Sequence, residues 1–285
     1  MPSQHTLRIY EACIVKLKKE FNSTDLMFLA DSASVINYIE ALPLSDNSKK
    51  IYWIALKSTL RDLPDKSDEL KAAETAYQTK MDAYNKIALE KMEKQELDER
   101  EKAIWLKWSE ILKAREKAYE TAEDINTYQD YVTLCLYTYL PPARLDYSPL
   151  RVVASEEEEP EGNILVVKPR SMEFVIRNYK TAGKYGALTV PVPPKLRTIL
   201  THWLELNITG WLLCTKDGDP LTESQLSSRI RAIFTRLTGK AAGVNILRHS
   251  YISHLRRGEP ALKKQKEVAE AMGHSIGMSV LYRKQ

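Results

Sequence analysis

From Asp65 to Leu140 the chain contains neither glycine nor proline, and Ala, Glu, Lys, Leu and Gln dominate the stretch. Such residues lose little side-chain freedom in a helix and none of them interrupts one, so this segment predicts helix throughout and a mainly α protein. Apolar residues at Leu70, Tyr77, Met81, Tyr84 and Leu97 are irregularly spaced. That argues against a long dimeric coiled coil and for a helical hairpin or extension. Trp105, Trp108, Ile111 and Leu112 form a stronger apolar face and predict a helix packed in a core.

On either side the pattern changes. Residues 6–63 read as three short helices, with apolar positions at Leu7, Tyr10, Ile14 and Leu17, at Val35, Tyr38, Ile39 and Leu42, and at Tyr52, Trp53, Leu56 and Leu60. Ser45, Asp46 and Asn47 offer capping oxygens to the third, which leaves Lys49 and Lys50 in its first turn. Cations are unfavourable there for the helix dipole, so these two lysines read either as phosphate contacts or as a solvated face. After the helical run, a helix over 125–139 must stop at Pro141-Pro142. Strand-like stretches follow at 163–167, 173–177 and 187–192, the last two bracketing the turn Thr181-Ala182-Gly183. Helical patterns over 194–206, 224–237, 247–256 and 263–272 close the chain. The expected architecture is mainly α with a small antiparallel β-sheet, divided as 1–64, a helical insertion or extension at 65–119, and an α+β domain at 120–285.

The formal net charge of +4 conceals an uneven distribution. Between Asn163 and Leu204 seven Lys and Arg residues face one carboxylate, Glu173, and the segment from Asn245 to the C-terminus is again rich in cations. A positive field in the C-terminal half suits a polyanion. Three scattered cysteines, Cys13, Cys135 and Cys214, have neither paired nor zinc-ligand spacing and read as reduced thiols of an intracellular protein. No apolar run reaches membrane-spanning length, and the first residues lack a secretory pattern, so a soluble protein is expected.

Against this background five positions stand in a telling order: Arg144, a lysine near a glycine-containing turn (Lys180 or Lys184), Arg248, His274 and Tyr282. Each alone would be an ordinary surface or half-buried side chain. Together they form a set able to hold a phosphodiester between two guanidiniums, attack it with a phenol and protonate the departing hydroxyl. His249 and His254 are five residues apart, wrong for a shared metal on one helical face, and read as packing or polar contacts.

The segment Asn245-Ile-Leu-Arg248-His249-Ser250, followed by Ala271-Met-Gly273-His274-Ser275 and Tyr282, resembles the C-terminal signature of the tyrosine recombinases, the phage-integrase family. Leu136-Tyr137-Thr138-Tyr139-Leu140 before Arg144 is similar to the segment carrying that family's first catalytic arginine, and Asn178-Tyr179-Lys180-Thr181-Ala182-Gly183 to its lysine-bearing hairpin turn. Residues 6–63 loosely resemble its helical core-binding domain, with Ser48-Lys49-Lys50-Ile51-Tyr52 at a familiar place. The stretch around Pro141-Pro142-Ala143-Arg144 is weakly similar to recombinases of large DNA viruses and their parasites, which implies a mobile element acting in a host cell or virion.

The resemblance implies a helical DNA-binding domain joined to a catalytic domain that cuts and rejoins double-stranded DNA through a 3′-phosphotyrosine, as a homotetramer without cofactor, metal or ATP. Arg144, Lys180, Asn245, Arg248, His274 and Tyr282 are the implied catalytic positions, and Lys49, Lys50 and Lys184 the implied DNA contacts, with Lys184 as substitute general acid. Three departures qualify it. Asn245 stands where the family has His or Lys and cannot shuttle a proton; Asp146 is displaced from the usual acidic position; and only Arg283, Lys284 and Gln285 follow Tyr282. A catalytically inert DNA-binding protein of the same fold, a type IB topoisomerase-like relaxing enzyme and a helical interaction scaffold are the alternatives.

Overall fold

The computed structural model describes residues 4–94, 97–159 and 161–258, together with 262, 264 and 265. Two compact units divide between residues 96 and 97.

The first unit is helical: α1 Gln4–Glu20, a 3₁₀ turn at Met27–Ala30, α2 Ser32–Ala41, α3 Asp46–Arg61 and α4 Asp68–Lys94. Its starts are set by capping side chains, since Asp31 accepts from the Ser34 N–H at 3.1 Å and Ser45 from the Ser48 N–H at 3.3 Å. Leu17, Leu29, Val35, Ile39, Trp53, Leu56 and Leu60 are fully buried between these helices. Leu70, Ala73, Tyr77 and Tyr84 on α4 complete that core, with Met81 packed at its edge. The Trp53 and Tyr77 rings stack at 6.3 Å, and the Tyr77 hydroxyl donates to the Leu29 carbonyl at 2.8 Å.

In the second unit come α5 Glu99–Ile104, α6 Trp108–Glu120, α7 Ile125–Thr138, β1 Arg151–Val153, β2 Ile164–Lys168, β3 Ser171–Ile176, the one-turn α8 Ala182–Tyr185, β4 Leu188–Pro191, α9 Pro194–Leu206, α10 Glu223–Thr238 and α11 Val244–Leu255. The helical stretch 65–119 is therefore not a unit of its own. Its first half, α4, closes the N-terminal core, whereas Trp108, Ile111, Ala114 and Ala118 of α6 belong to the second core with α7, α9, α10 and α11. Helix α7 is buried along most of its length. Its buried Gln129 is satisfied by both backbone groups of Cys214, accepting from the N–H at 2.8 Å and donating to the carbonyl at 3.0 Å. Asp130 binds Arg229 at 2.8 Å and Arg236 at 2.6 Å, fastening α7 to α10.

The sheet runs β1-β2-β3-β4. Three strands pair antiparallel as expected, but β1 adds parallel to β2, so the sheet is mixed; at three residues β1 is too short to leave an alternation in the sequence. Leu165, Phe174 and Ile176 point into the main core, while Ile164, Val166, Val175 and Val153 form a small apolar cluster on the other face. All three cysteines are free, and among the described residues no helix is long and apolar enough to cross a membrane. The helix expected over 263–272 lies almost wholly outside the described residues.

One polar cluster fixes α4 on α2. Glu40 accepts from Lys80 at 2.9 Å and from the Tyr84 hydroxyl at 2.6 Å. Burial pushes the Glu40 carboxyl up, but the hydrogen bonds from Tyr84 and Lys80 and the charges of Lys80 and Lys49 outweigh it and hold the pKa below the ordinary value. A depressed carboxylate contributes stability above its unfolded pKa, near 4.3, and loses it as pH falls through the folded value. Glu40→Gln is expected to destabilise the protein by about 1–2 kcal/mol at pH 7, and the gap should narrow below about pH 4. Urea unfolding at the two pH values, followed by tryptophan fluorescence, measures both.

Candidate active site

Helix α7 stops because Pro141 and Pro142 cannot continue it, and the loop that follows carries Arg144. Its backbone is held on both sides. The Tyr137 hydroxyl donates to the Arg144 carbonyl at 2.6 Å, and the Arg144 N–H donates to Asp146 Oδ2 at 3.1 Å. Tyr137 packs edge-on to Tyr147 at 5.4 Å, and Tyr147 edge-on to Phe174 of β3 at 5.3 Å, so three aromatic rings brace the loop from below. Burial holds the Tyr137 hydroxyl well above the ordinary phenol value, which keeps it a donor.

Arg248 reaches the same place from α11. It is half-buried, and burial first, then the positive charge of Arg144, press its pKa below the ordinary arginine value; Asp146 and Tyr137 push the other way. It remains a cation at neutral pH. Arg61, Arg115, Arg177, Arg229 and Arg236 are each in ion pairs. Arg144 and Arg248 form none among the described residues, although each lies within electrostatic reach of the other and of Asp146. Two half-buried guanidiniums within electrostatic reach of each other and of a single carboxyl are under-neutralised, and an anion with several oxygens is what such a pair can hold bidentately.

Asp146, noted in the sequence only as an acidic residue displaced from its usual position, takes a defined place beside the arginines. Burial raises its pKa, against the Arg144 N–H and the charges of Arg144 and Arg248. Asn163 was missed. Only 8% exposed, it accepts from the N–H groups of Arg177 and Asn178 at 2.9 and 2.8 Å and donates to the carbonyls of Asp146 and Asn178 at 3.0 Å each. One side-chain amide thus ties the Arg144 loop to the segment leading into Lys180. An asparagine at the start of an apolar strand was the available signal.

The other sequence-derived positions divide. Asn245 is exposed on α11, three residues before Arg248 and so on the same face. Lys180 and Lys184 are exposed on the loop between β3 and β4, which contains a single helical turn, α8, where a plain hairpin turn was expected. Lys49, in the N-terminal unit, is largely buried and donates to the Glu40 carbonyl at 2.5 Å, so its ammonium satisfies the C-terminal end of α2. Lys50 is partly exposed and forms no ion pair among the described residues. His274 and Tyr282 lie outside the described residues.

No family model matches the chain, and no curated protein matches its sequence. Among solved structures the chain is similar to the XerH site-specific recombinase bound to difH substrate in a pre-cleavage complex, with 17% identity, 98% of this chain and 73% of that chain covered, and a TM-score of 0.49.

A carboxyl whose pKa is raised by folding contributes stability below its unfolded pKa, near 3.9, and loses it as pH rises through the folded value. Asp146→Asn keeps an acceptor for the Arg144 N–H and removes that titration. The variant is expected to gain stability relative to the parent as pH rises from 4 to 7. Urea midpoints at the two pH values measure this, and a gap that stays constant or shrinks would contradict the assignment.

Proposed function

We propose that the chain is a tyrosine-type DNA strand transferase, a site-specific recombinase or integrase that cuts and rejoins double-stranded DNA through a 3′-phosphotyrosine. The observation that carries this reading is the pair of half-buried, unpaired guanidiniums of Arg144 and Arg248, placed around Asp146 by two different elements. In-line attack on a phosphodiester concentrates negative charge on the nonbridging oxygens, and fixed arginine forks stabilise that charge without changing protonation state. The ordered motif through Gly273-His274-Ser275 and Tyr282 supports the same reading.

In the proposed reaction the Tyr282 phenolate attacks phosphorus, forming the P–O(Tyr) bond while the bond to the 5′ oxygen breaks. Lys180 gives its proton to the departing 5′ oxygen, with Lys184 as its substitute, and His274 hydrogen-bonds a phosphate oxygen. Asn245, an amide, can hold an oxygen but accepts no proton, so the phenol proton leaves to solvent. The phosphotyrosine conserves the energy of the broken bond, and attack by a 5′-hydroxyl reverses each step and reseals DNA. Neither ATP nor a metal is needed for that balance. Lys50 of the N-terminal unit and Lys184 contact phosphates, Lys49 acts indirectly by holding α2, and four copies assemble on two duplexes.

The exposed amide of Asn245 favours one second reading, an inert DNA-binding protein of the same fold. A duplex nicked beside the cleavage site, which loses a short 5′-hydroxyl fragment after attack, separates the two. The parent should leave a denaturation-resistant protein–DNA adduct, Tyr282→Phe none, and Arg144→Ala or Arg248→Ala an adduct formed about 10²–10³-fold more slowly. An adduct that persists in Tyr282→Phe rejects the proposal, and binding with no adduct in the parent favours the inert reading.

A further inference from the structure

The loop between β3 and β4 is more ordered than a solvated connection needs to be. Asn163 clamps its start through Arg177 and Asn178. The Tyr179 hydroxyl donates across it to the Gly186 carbonyl at 2.9 Å, and the Gly186 N–H donates back to the Ala182 carbonyl at 2.8 Å. Lys184 and Tyr185 N–H groups both donate to the Thr181 carbonyl, at 3.0 and 3.2 Å. Gly186 makes the exit at φ +71°, a conformation a side chain would resist.

This closed loop holds a large aromatic side chain out in solvent. Tyr185 is 62% exposed, and the ring contact found for it is the Lys184 ammonium, 5.0 Å from the ring centre. Leu188, three residues on, is 41% exposed. Between Glu173 and Glu205 the sequence has no carboxylate, whereas Lys180 and Lys184 both fall on the loop; Arg177, at its start, is already paired with Glu156 at 2.8 Å. An apolar ring left in water forgoes the free energy of burial, and a rigid loop that forgoes it among cations is complementary to a polyanion with flat apolar faces. Nucleic acid has both.

We propose that Tyr185 is a base-stacking residue: its ring lies on a nucleobase of the bound DNA where the stack is open, while Lys184 and Lys180 contact the flanking phosphates. The proposal rests on the DNA-processing reading but requires no cleavage. Stacking of a base on an aromatic side chain is tolerant of sequence, so the site selects an accessible base face and not a base identity. It would therefore favour DNA that is nicked, gapped or mispaired over a continuous duplex.

The test is equilibrium binding of the full chain to two fluorescent duplexes of the same arbitrary sequence, one intact and one with a single-nucleotide gap. The parent and Tyr185→Phe should prefer the gapped duplex. Tyr185→Ala should lose about tenfold on the gapped duplex, within what one base stack contributes, and less than about twofold on the intact one. Lys184→Ala should weaken both equally and flatten the salt dependence by about one counterion. Equal affinity of Tyr185→Ala and the parent for the gapped duplex, or the same loss on both duplexes, overturns the proposal. Because binding is read without cleavage, such a result leaves adduct formation at Tyr282 to be judged separately; absence of an adduct in turn leaves the stacking result intact.

Discussion

The arrangement of the second unit turns on keeping two like charges close together and half out of water. Arg144 and Arg248 repel one another, and burial adds to the cost of Arg248. Nothing local recovers that cost, since neither guanidinium is in an ion pair among the described residues and Asp146 is only partly effective against both. The packing around them must supply it: Phe174, Phe234, Leu200 and Leu247, with α7 between them, form an apolar core in which burial of each large side chain contributes about 1.5–3 kcal/mol. A site that is poor in stability is thereby held together by packing elsewhere in the unit.

How the core imposes that geometry can be followed residue by residue. Arg144 enters on a loop whose carbonyl is taken by Tyr137, on the helix it follows, and whose N–H is taken by Asp146. Asp146 is fixed in turn through its own carbonyl by Asn163, and Asn163 also holds the backbone that leads to Lys180. Arg248 comes from a separate helix seated by the buried Val244, Ile246, Leu247 and Ser250. Two independent elements therefore present the arginines, and a single amide sets the lysine loop against one of them. The side chains contacting the reacting phosphate in the proposed reaction carry few of these hydrogen bonds; the residues behind them carry most.

Much of this was legible in the sequence where periodicity and punctuation agree. Helices α7, α9, α10 and α11 fall within a few residues of their expected spans, because proline, capping residues and glycine mark their ends. The division of the long helical run was not legible: composition alone makes 65–119 uniform, and only packing assigns α4 to one core and α6 to the other. Counting Ala73 as apolar would have given spacings of three, four, four and three from Leu70 to Tyr84, a regular buried stripe; small residues are easily left out of such counts. Arg144, Arg248 and Lys180 stood out as charge in a fixed order. Asp146 stood out only as an acidic residue out of place, and Asn163 not at all, because their roles are backbone hydrogen bonds made after folding, and no residue-type pattern encodes those. Lys49, whose place in a first turn reads either as a phosphate contact or as a solvated cation, in the fold satisfies a neighbouring helix end, which the sequence does not reveal.

The electrostatics of the arginine pair bear on the least family-like position in the chain. In the proposed reaction Asn245 cannot take the proton of Tyr282, and the phenol must ionise through the local field alone. Neighbouring cations favour the ionised form of a phenol and so lower its pKa. Two unpaired guanidiniums are a stronger source of such a field than a pair already neutralised by carboxylates. In the proposed reaction the weak neutralisation of Arg144 and Arg248 offsets the amide at Asn245: a site with little built-in negative charge would attract the phosphodiester and favour the phenolate without a dedicated base. Asp146 sets the limit of that strategy. More negative charge there would weaken the field on which the proposed chemistry depends, and burial makes that charge costly to the folded protein as well.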